Sequence, residues 1–103
     1  MVMANKGSGK PLSMITAYDA TFARIVDESG VDMILVGDSV GSVVQGVANT
    51  IPVTLEEMEY HVKLVARANP RALIIGDLPF GSYQVNTEQA VRSAIRLVKA
   101  GAA

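Results

Sequence analysis

Two short, uninterrupted apolar runs, Met33-Ile34-Leu35-Val36 and Leu73-Ile74-Ile75, each close in the same dipeptide, at Gly37-Asp38 and again 39 residues later at Gly76-Asp77. A run this short and apolar on both alternating faces suits a strand covered on both sides, which is the rule in parallel sheets. Parallel strands need long crossovers, and the residues after each run supply amphipathic helical stretches. The recurrence is what one βα unit, repeated, leaves in a sequence. The chain therefore reads as an α/β protein built from βα units around a parallel sheet.

The rest of the chain fills in that pattern. Met1 to Lys10 is polar, glycine-bearing and aperiodic, and is expected to be a flexible leader (1–10) before the folded part (11–103). Leu12 to Thr16 is the first expected strand. Asp19 is placed to cap a helix with Phe22, Ala23, Ile25 and Val26 inward, and Gly30 to end it in a left-handed turn. A glycine-rich connection, Gly41 to Val53, is longer than such loops usually are. Thr54-Leu55-Glu56-Glu57 is a capping box, with Val53 and Met58 as its hydrophobic staple, and Leu55, Met58, Val62 and Val65 form the inner stripe of the helix it starts. Asn69-Pro70 ends that helix. A third helix is expected from Thr87 to Ala100 with Ala90, Val91, Ala94, Ile95, Leu97 and Val98 inward.

Composition removes several functions. Nine Lys+Arg against ten Asp+Glu give a formal net charge of −1, which does not support a nucleic-acid surface built on bulk positive charge. With half its residues hydrophobic and 18% charged the chain packs a core, yet no apolar stretch nears the ~20 residues of a membrane span. No nucleic-acid or membrane partner is expected, and the cytoplasm is the default compartment. The absence of cysteine excludes disulfides, thiolate metal sites and a cysteine nucleophile. Gly7-Ser8-Gly9-Lys10 resembles a phosphate loop only superficially, since Ala4 replaces the first glycine, Pro11 the Ser/Thr, and no strand precedes it.

In parallel α/β folds the ligand site lies at the carboxyl ends of the strands, where both Asp38 and Asp77 fall. On neighbouring strands about 5 Å apart they would share one octahedral hard cation at ~2.1 Å, with magnesium the natural candidate and manganese close behind. Taken singly, each aspartate also fits a turn cap. Ser39 is placed to donate to a substrate carboxylate or phosphate, or to bond its own turn. Thr16, Tyr18 and Asp19 end the first strand at the same mouth, with Tyr18 as a wall residue and Asp19 as the cap. Phe80, Tyr83 and Gln84 follow Asp77 in a loop fit to shape a pocket. His61, on the margin of the second helix stripe and away from any strand end, reads as a partly buried structural histidine. Without a nucleophile elbow, a Ser-His-Asp relay is not supported.

Ile15-Thr16-Ala17-Tyr18-Asp19, Leu35-Val36-Gly37-Asp38-Ser39-Val40-Gly41, Gln45-Gly46, Thr50, Pro52-Val53-Thr54, and Gly76-Asp77-Leu78-Pro79-Phe80 with Ser82-Tyr83 occur in the order and spacing of one family. From Leu12 to Ala102 the chain resembles the N-terminal part of the ketopantoate (3-methyl-2-oxobutanoate) hydroxymethyltransferases, from which Val47-Ala48-Asn49 departs in being less polar. The resemblance implies a (β/α)₈ TIM barrel of the phosphoenolpyruvate mutase/isocitrate lyase type, of which three βα units are present here. It also implies a cytoplasmic homodecamer acting in pantothenate and coenzyme A biosynthesis. The implied reaction moves a hydroxymethyl group from 5,10-methylenetetrahydrofolate to 3-methyl-2-oxobutanoate, giving 2-dehydropantoate, with Mg²⁺ holding the oxo acid. By motif match Asp38 and Asp77 would be the metal ligands, and Asp38, Ser39 and Asp77 would bind substrate. The family's general base, a glutamate, and its substrate lysine and further acidic residue are expected beyond position 103. On its residues alone the chain also suits another magnesium-dependent 2-oxo acid lyase or mutase, or a small non-catalytic α/β module complete in 103 residues.

Overall fold

A computed structural model of the chain describes residues 2–103; Met1, the first residue of the expected leader, lies outside them. Three parallel strands, β1 (Met14–Thr16), β2 (Met33–Val36) and β3 (Leu73–Gly76), form one sheet in sequence order. The helices are α1 (Val2–Asn5), α2 (Ala20–Glu28), α3 (Val40–Val43), α4 (Leu55–Arg67) and α5 (Thr87–Ala100). The register aligns Ile15 with Ile34 and Ile74, and Thr16 with Leu35 and Ile75. The strands that lead into Asp38 and Asp77 are thus direct neighbours.

Local chemistry explains the boundaries. Asp19 Oδ1 accepts from the Phe22 amide at 2.8 Å and starts α2, and Gly30 follows that helix with φ 89°. The α4 capping box is closed in both directions, Thr54 amide to Glu57 Oε1 at 2.8 Å and Glu57 amide to Thr54 Oγ1 at 3.1 Å. The second oxygen of Glu57 accepts from Gln45 Nε2, tying the β2–α4 connection to the helix it precedes. Asn86 caps α5, and Gly101 ends it at φ 130°, where a Cβ would lie 2.4 Å from Ala66 Cβ; only glycine allows the close α4–α5 approach. The next residues return to the sheet: the Ala103 amide donates to the Ile74 carbonyl at 2.8 Å. Because Leu73 and Asp77 donate toward β2, Ile74 O points to the opposite edge, so the chain arrives where a fourth parallel strand would pair.

The core lies between one face of the sheet and α2, α4 and α5. Ile34, Val36, Ala23, Met58, Val62 and Val65 are fully buried there, and Ile74, Leu97 and Ala100 nearly so. Side chains of alternate residues point to the other face, where Met14 is 49% exposed and Met33, Leu35, Leu73 and Ile75 are half-buried. The expectation of strands covered on both faces is corrected accordingly, since only the helix side is covered.

Other expectations also change. The first strand begins at Met14, not Leu12, and Val2–Asn5 form a helical turn within the aperiodic leader. The long connection opens within α3, which starts one residue earlier at Val40 and is built on turns that follow Gly37 and Asp38. Phe22 and Ile25 on α2, and Val91, Ile95 and Val98 on α5, were expected inward and are about half exposed or more. The reason is position: α4 packs between α2 and α5 and buries its stripe, while among the described residues α2 and α5 pack mainly against α4 and keep one bare flank.

Polar clamps fix the layers. Asp27 on α2 accepts from the Ala72 and Arg71 amides at 2.9 and 3.1 Å, and these bonds, Ala72 first, hold its carboxyl below the usual carboxylate range. Arg96 on α5 donates to Glu59 and Glu56 on α4, lowering Glu59 chiefly through that bond. Exposed pairs of this kind add little to stability. No helix among the described residues is long and apolar enough to cross a membrane.

Candidate functional site

The pairing continues one step beyond the strands. Ala17 donates to Leu35 O at 3.2 Å and Asp77 donates to Val36 O at 3.0 Å, so the row after Val36 aligns Tyr18, Gly37 and Asp77. All three sit at the carboxyl rim of the sheet, the end at which such folds bind ligands. After Gly37 the chain turns at once into α3, with Val40 donating to Gly37 O at 3.1 Å and Gly41 to Asp38 O at 3.0 Å. This turn aims the Asp38 amide sideways along the rim, where it donates to Asp77 Oδ2 at 3.3 Å.

Each aspartate fits either a turn cap or a cation ligand by sequence, and the structure shows a capping bond for Asp77. Asp77 does cap backbone, but the backbone of the neighbouring strand rather than its own turn. That bond brings the Asp77 carboxylate against the residue that carries the other acid. Asp38, Ser39 and Asp77 are all half-buried. Ser39 departs from the turn-serine alternative, since its hydroxyl caps nothing in α3 and instead lies 2.6 Å from the Tyr18 hydroxyl.

Gly37 makes the space these groups share. A Cβ built there would lie 3.0 Å from Asp77 Oδ2 and 3.5 Å from Ser39 Oγ, so any side chain would intrude between the two. The result is a small cradle whose groups are carboxylate and hydroxyl oxygens. Such a donor set fits a hard cation of the magnesium class and does not fit a soft one. Among the described residues no cluster of three or more His, Cys, Asp or Glu side chains is placed to hold a metal. Two carboxylates would fill two of about six positions, with the rest open to water, substrate oxygens or residues outside this chain.

His61 is the residue whose surroundings the sequence misjudged. It is partly buried, as expected, but not remote from the strand ends: its Nδ1 lies 2.7 Å from the Tyr18 carbonyl oxygen. A carbonyl only accepts, so Nδ1 carries the proton and donates. The His61 ring also meets Tyr18 and Tyr60 edge-on, at 6.5 and 5.3 Å between centroids. Local periodicity carries no signal of this, because the two partners are 43 residues apart. Phe80 and Tyr83 are 64% and 45% exposed on the β3–α5 loop. That loop is fixed from below by buried Ser82, donating to Pro79 O, and buried Ser93, donating to Ser82 O, both at 2.6 Å.

Comparison with known proteins gives three findings. A family model described as ketopantoate hydroxymethyltransferase matches residues 1–103. Among curated relatives, the 3-methyl-2-oxobutanoate hydroxymethyltransferase of Ignicoccus hospitalis is 57% identical over 101 residues, 98% of this chain and 38% of that protein. That of an Azoarcus species is 50% identical over 97 residues, 94% of this chain and 36% of that protein. The chain thus spans little more than a third of the relatives it matches. Among solved structures, 2,3-dimethylmalate lyase, a member of the PEP mutase/isocitrate lyase superfamily, superposes with a TM-score of 0.71 at 17% identity, over 98% of this chain and 36% of that one. At that identity the likeness concerns fold alone, and the three parallel βα units are consistent with part of a TIM barrel.

Proposed function

Because the chain belongs to the ketopantoate hydroxymethyltransferase family, we propose that it forms the metal- and oxo-acid-binding rim of an enzyme that transfers a hydroxymethyl group from 5,10-methylenetetrahydrofolate to 3-methyl-2-oxobutanoate. The product would be 2-dehydropantoate, a precursor of pantothenate. The observation that carries this reading is the bond from the Asp38 amide to Asp77 Oδ2, which sets the Asp77 carboxylate against the residue that bears the other acid and beside the space left by Gly37.

Asp38 and Asp77 would hold the cation, Mg²⁺ by donor chemistry with Mn²⁺ as a substitute. When bound, a divalent ion chelating the carboxylate and keto oxygens of a 2-oxo acid supplies the Lewis acidity that makes its C3 proton removable. The chain's own residues orient the acid. Ser39, beside Asp38 on the same turn, presents a hydroxyl to an anionic oxygen at the rim. The half-buried floor of Leu35 and Ile75 on the open face suits the branched alkyl end of the substrate. The base that takes the C3 proton must lie within hydrogen-bond reach of it and would come from outside these 103 residues, since His61 is held against the Tyr18 carbonyl. A cytoplasmic homodecamer is part of the same proposal.

The test uses the intact gene product. With magnesium in D₂O it should exchange the C3 hydrogen of 3-methyl-2-oxobutanoate, and with the folate donor it should yield 2-dehydropantoate. Conversion of oxaloacetate or phosphonopyruvate in place of that exchange would overturn the proposed substrate, as would inertness toward all three.

A further inference from the structure

We infer that Tyr18 and His61 act as positioning residues for Ser39, fixing the direction in which its hydroxyl presents a proton at the rim; the inference rests on the function proposed above. Three observations carry it. The Tyr18 and Ser39 hydroxyl oxygens lie 2.6 Å apart in a half-buried setting, bridging the ends of β1 and β2. The Tyr18 main chain is itself held, because His61 Nδ1 donates to its carbonyl at 2.7 Å from α4. The Tyr18 ring packs edge-on against that same imidazole, so both ends of the tyrosine are tied to α4, a helix whose start is locked by its capping box.

The direction of the hydroxyl pair follows from acidity. A phenol is a far stronger hydrogen-bond donor than an aliphatic alcohol, so the Tyr18 O–H donates and Ser39 Oγ accepts. With one lone pair engaged, the Ser39 proton is free for another acceptor, and donation into its oxygen makes that proton a better donor in turn. Left alone, a serine hydroxyl on a turn rotates among three staggered positions. Tyr18 removes that freedom before a ligand arrives and leaves the Ser39 proton for an anionic oxygen of the oxo acid at the rim. His61 contributes at one remove, by setting the height of the β1–α2 loop from which Tyr18 reaches over.

The experiment is a double-mutant cycle on the intact magnesium-loaded protein, measuring the dissociation constant of 3-methyl-2-oxobutanoate by calorimetry. Tyr18→Phe keeps the ring and removes the hydroxyl. It should weaken oxo-acid binding roughly 3- to 10-fold when Ser39 is present, the worth of one neutral hydrogen bond. In a Ser39→Ala background the same change should alter binding by less than about two-fold, and magnesium affinity should be unchanged in all four proteins. His61→Asn, whose amide nitrogen can replace Nδ1 as donor to the Tyr18 carbonyl, should bind the oxo acid as the parent does, while His61→Ala should not. Equal losses from Tyr18→Phe in both backgrounds overturn the inference while leaving the proposed function intact. A parallel fall in magnesium affinity overturns it too, because a generally loosened fold would be the cause. Failure of all four proteins to bind the oxo acid overturns the proposed function, and this inference with it.

Discussion

In the intact protein, Asp77→Asn is expected to reduce magnesium-dependent deuterium exchange at C3 of 3-methyl-2-oxobutanoate by upward of about 100-fold. Disturbing a residue that merely supports a metal ligand costs about 10- to 100-fold, and loss of a ligand itself should cost more. This substitution separates the capping role of Asp77 from its proposed role as a metal ligand. An asparagine Oδ1 still accepts from the Asp38 amide, so the bond that spans the rim at 3.3 Å is retained. Only the negative charge and one strong hard-cation donor are lost. A structural cap would thus leave exchange nearly intact, whereas a metal ligand would lose it, and excess magnesium should recover part of the loss. Asp38→Asn should behave in the same way. Undiminished exchange in either variant refutes the metal role of that residue.

The second large effect is on stability. Met58 is fully buried at the fourth position of α4, beneath β2 in the cluster that holds Ile34, Val36, Val62 and the staple partner Val53. Met58→Ala should cost about 2–5 kcal/mol, the range for truncating a buried large side chain where the surroundings cannot fully collapse. The site lies between a capped helix and the central strand, both held by their own hydrogen bonds, so little collapse is expected. Urea unfolding of the intact protein checks this, with a lower midpoint at unchanged slope. A loss under about 1 kcal/mol would show that the staple and core assignment around α4 is wrong.

The contrast between α4 and its neighbours shows what the sequence could and could not reveal. The start of α4 was legible because the capping box and staple are complete within six residues, Val53 to Met58, and need no distant partner. Its whole inner stripe was legible because α4 has a helix on either side. The stripes of α2 and α5 were equally periodic, yet Phe22, Ile25, Val91, Ile95 and Val98 stay exposed. Periodicity records that a flank is apolar, not whether its neighbour is present. The half-exposed sheet face carrying Met14 and Leu35 tells the same story, since its strands are apolar on both sides while the described helices α2, α4 and α5 cover only the other one.

At the rim, the sequence revealed the positions and not the links. Gly37-Asp38 and Gly76-Asp77 stood out because the repeat placed both at strand ends, and the parallel register made them neighbours. The Tyr18 to Ser39 bond joins residues 21 apart, and the His61 to Tyr18 bond residues 43 apart. Each bond joins residues on separate elements, and periodicity within one element says nothing about which side chain of another it will meet. The short α3 escaped for another reason: Val40-Gly41-Ser42-Val43 has weak helix propensity, and the turn hydrogen bonds after Gly37 rather than intrinsic preference form it.

Anomalous diffraction from crystals of the intact protein grown with Mn²⁺ and 3-methyl-2-oxobutanoate tests directly whether Asp38 and Asp77 share a cation. One manganese peak should appear at about 2 Å from a carboxylate oxygen of Asp38 and of Asp77 together, with the oxo acid completing its coordination. A peak bound to neither side chain, or an oxo acid seated elsewhere while both carboxylates remain bonded only to protein and water, would contradict the assignment of this rim as the reactive site.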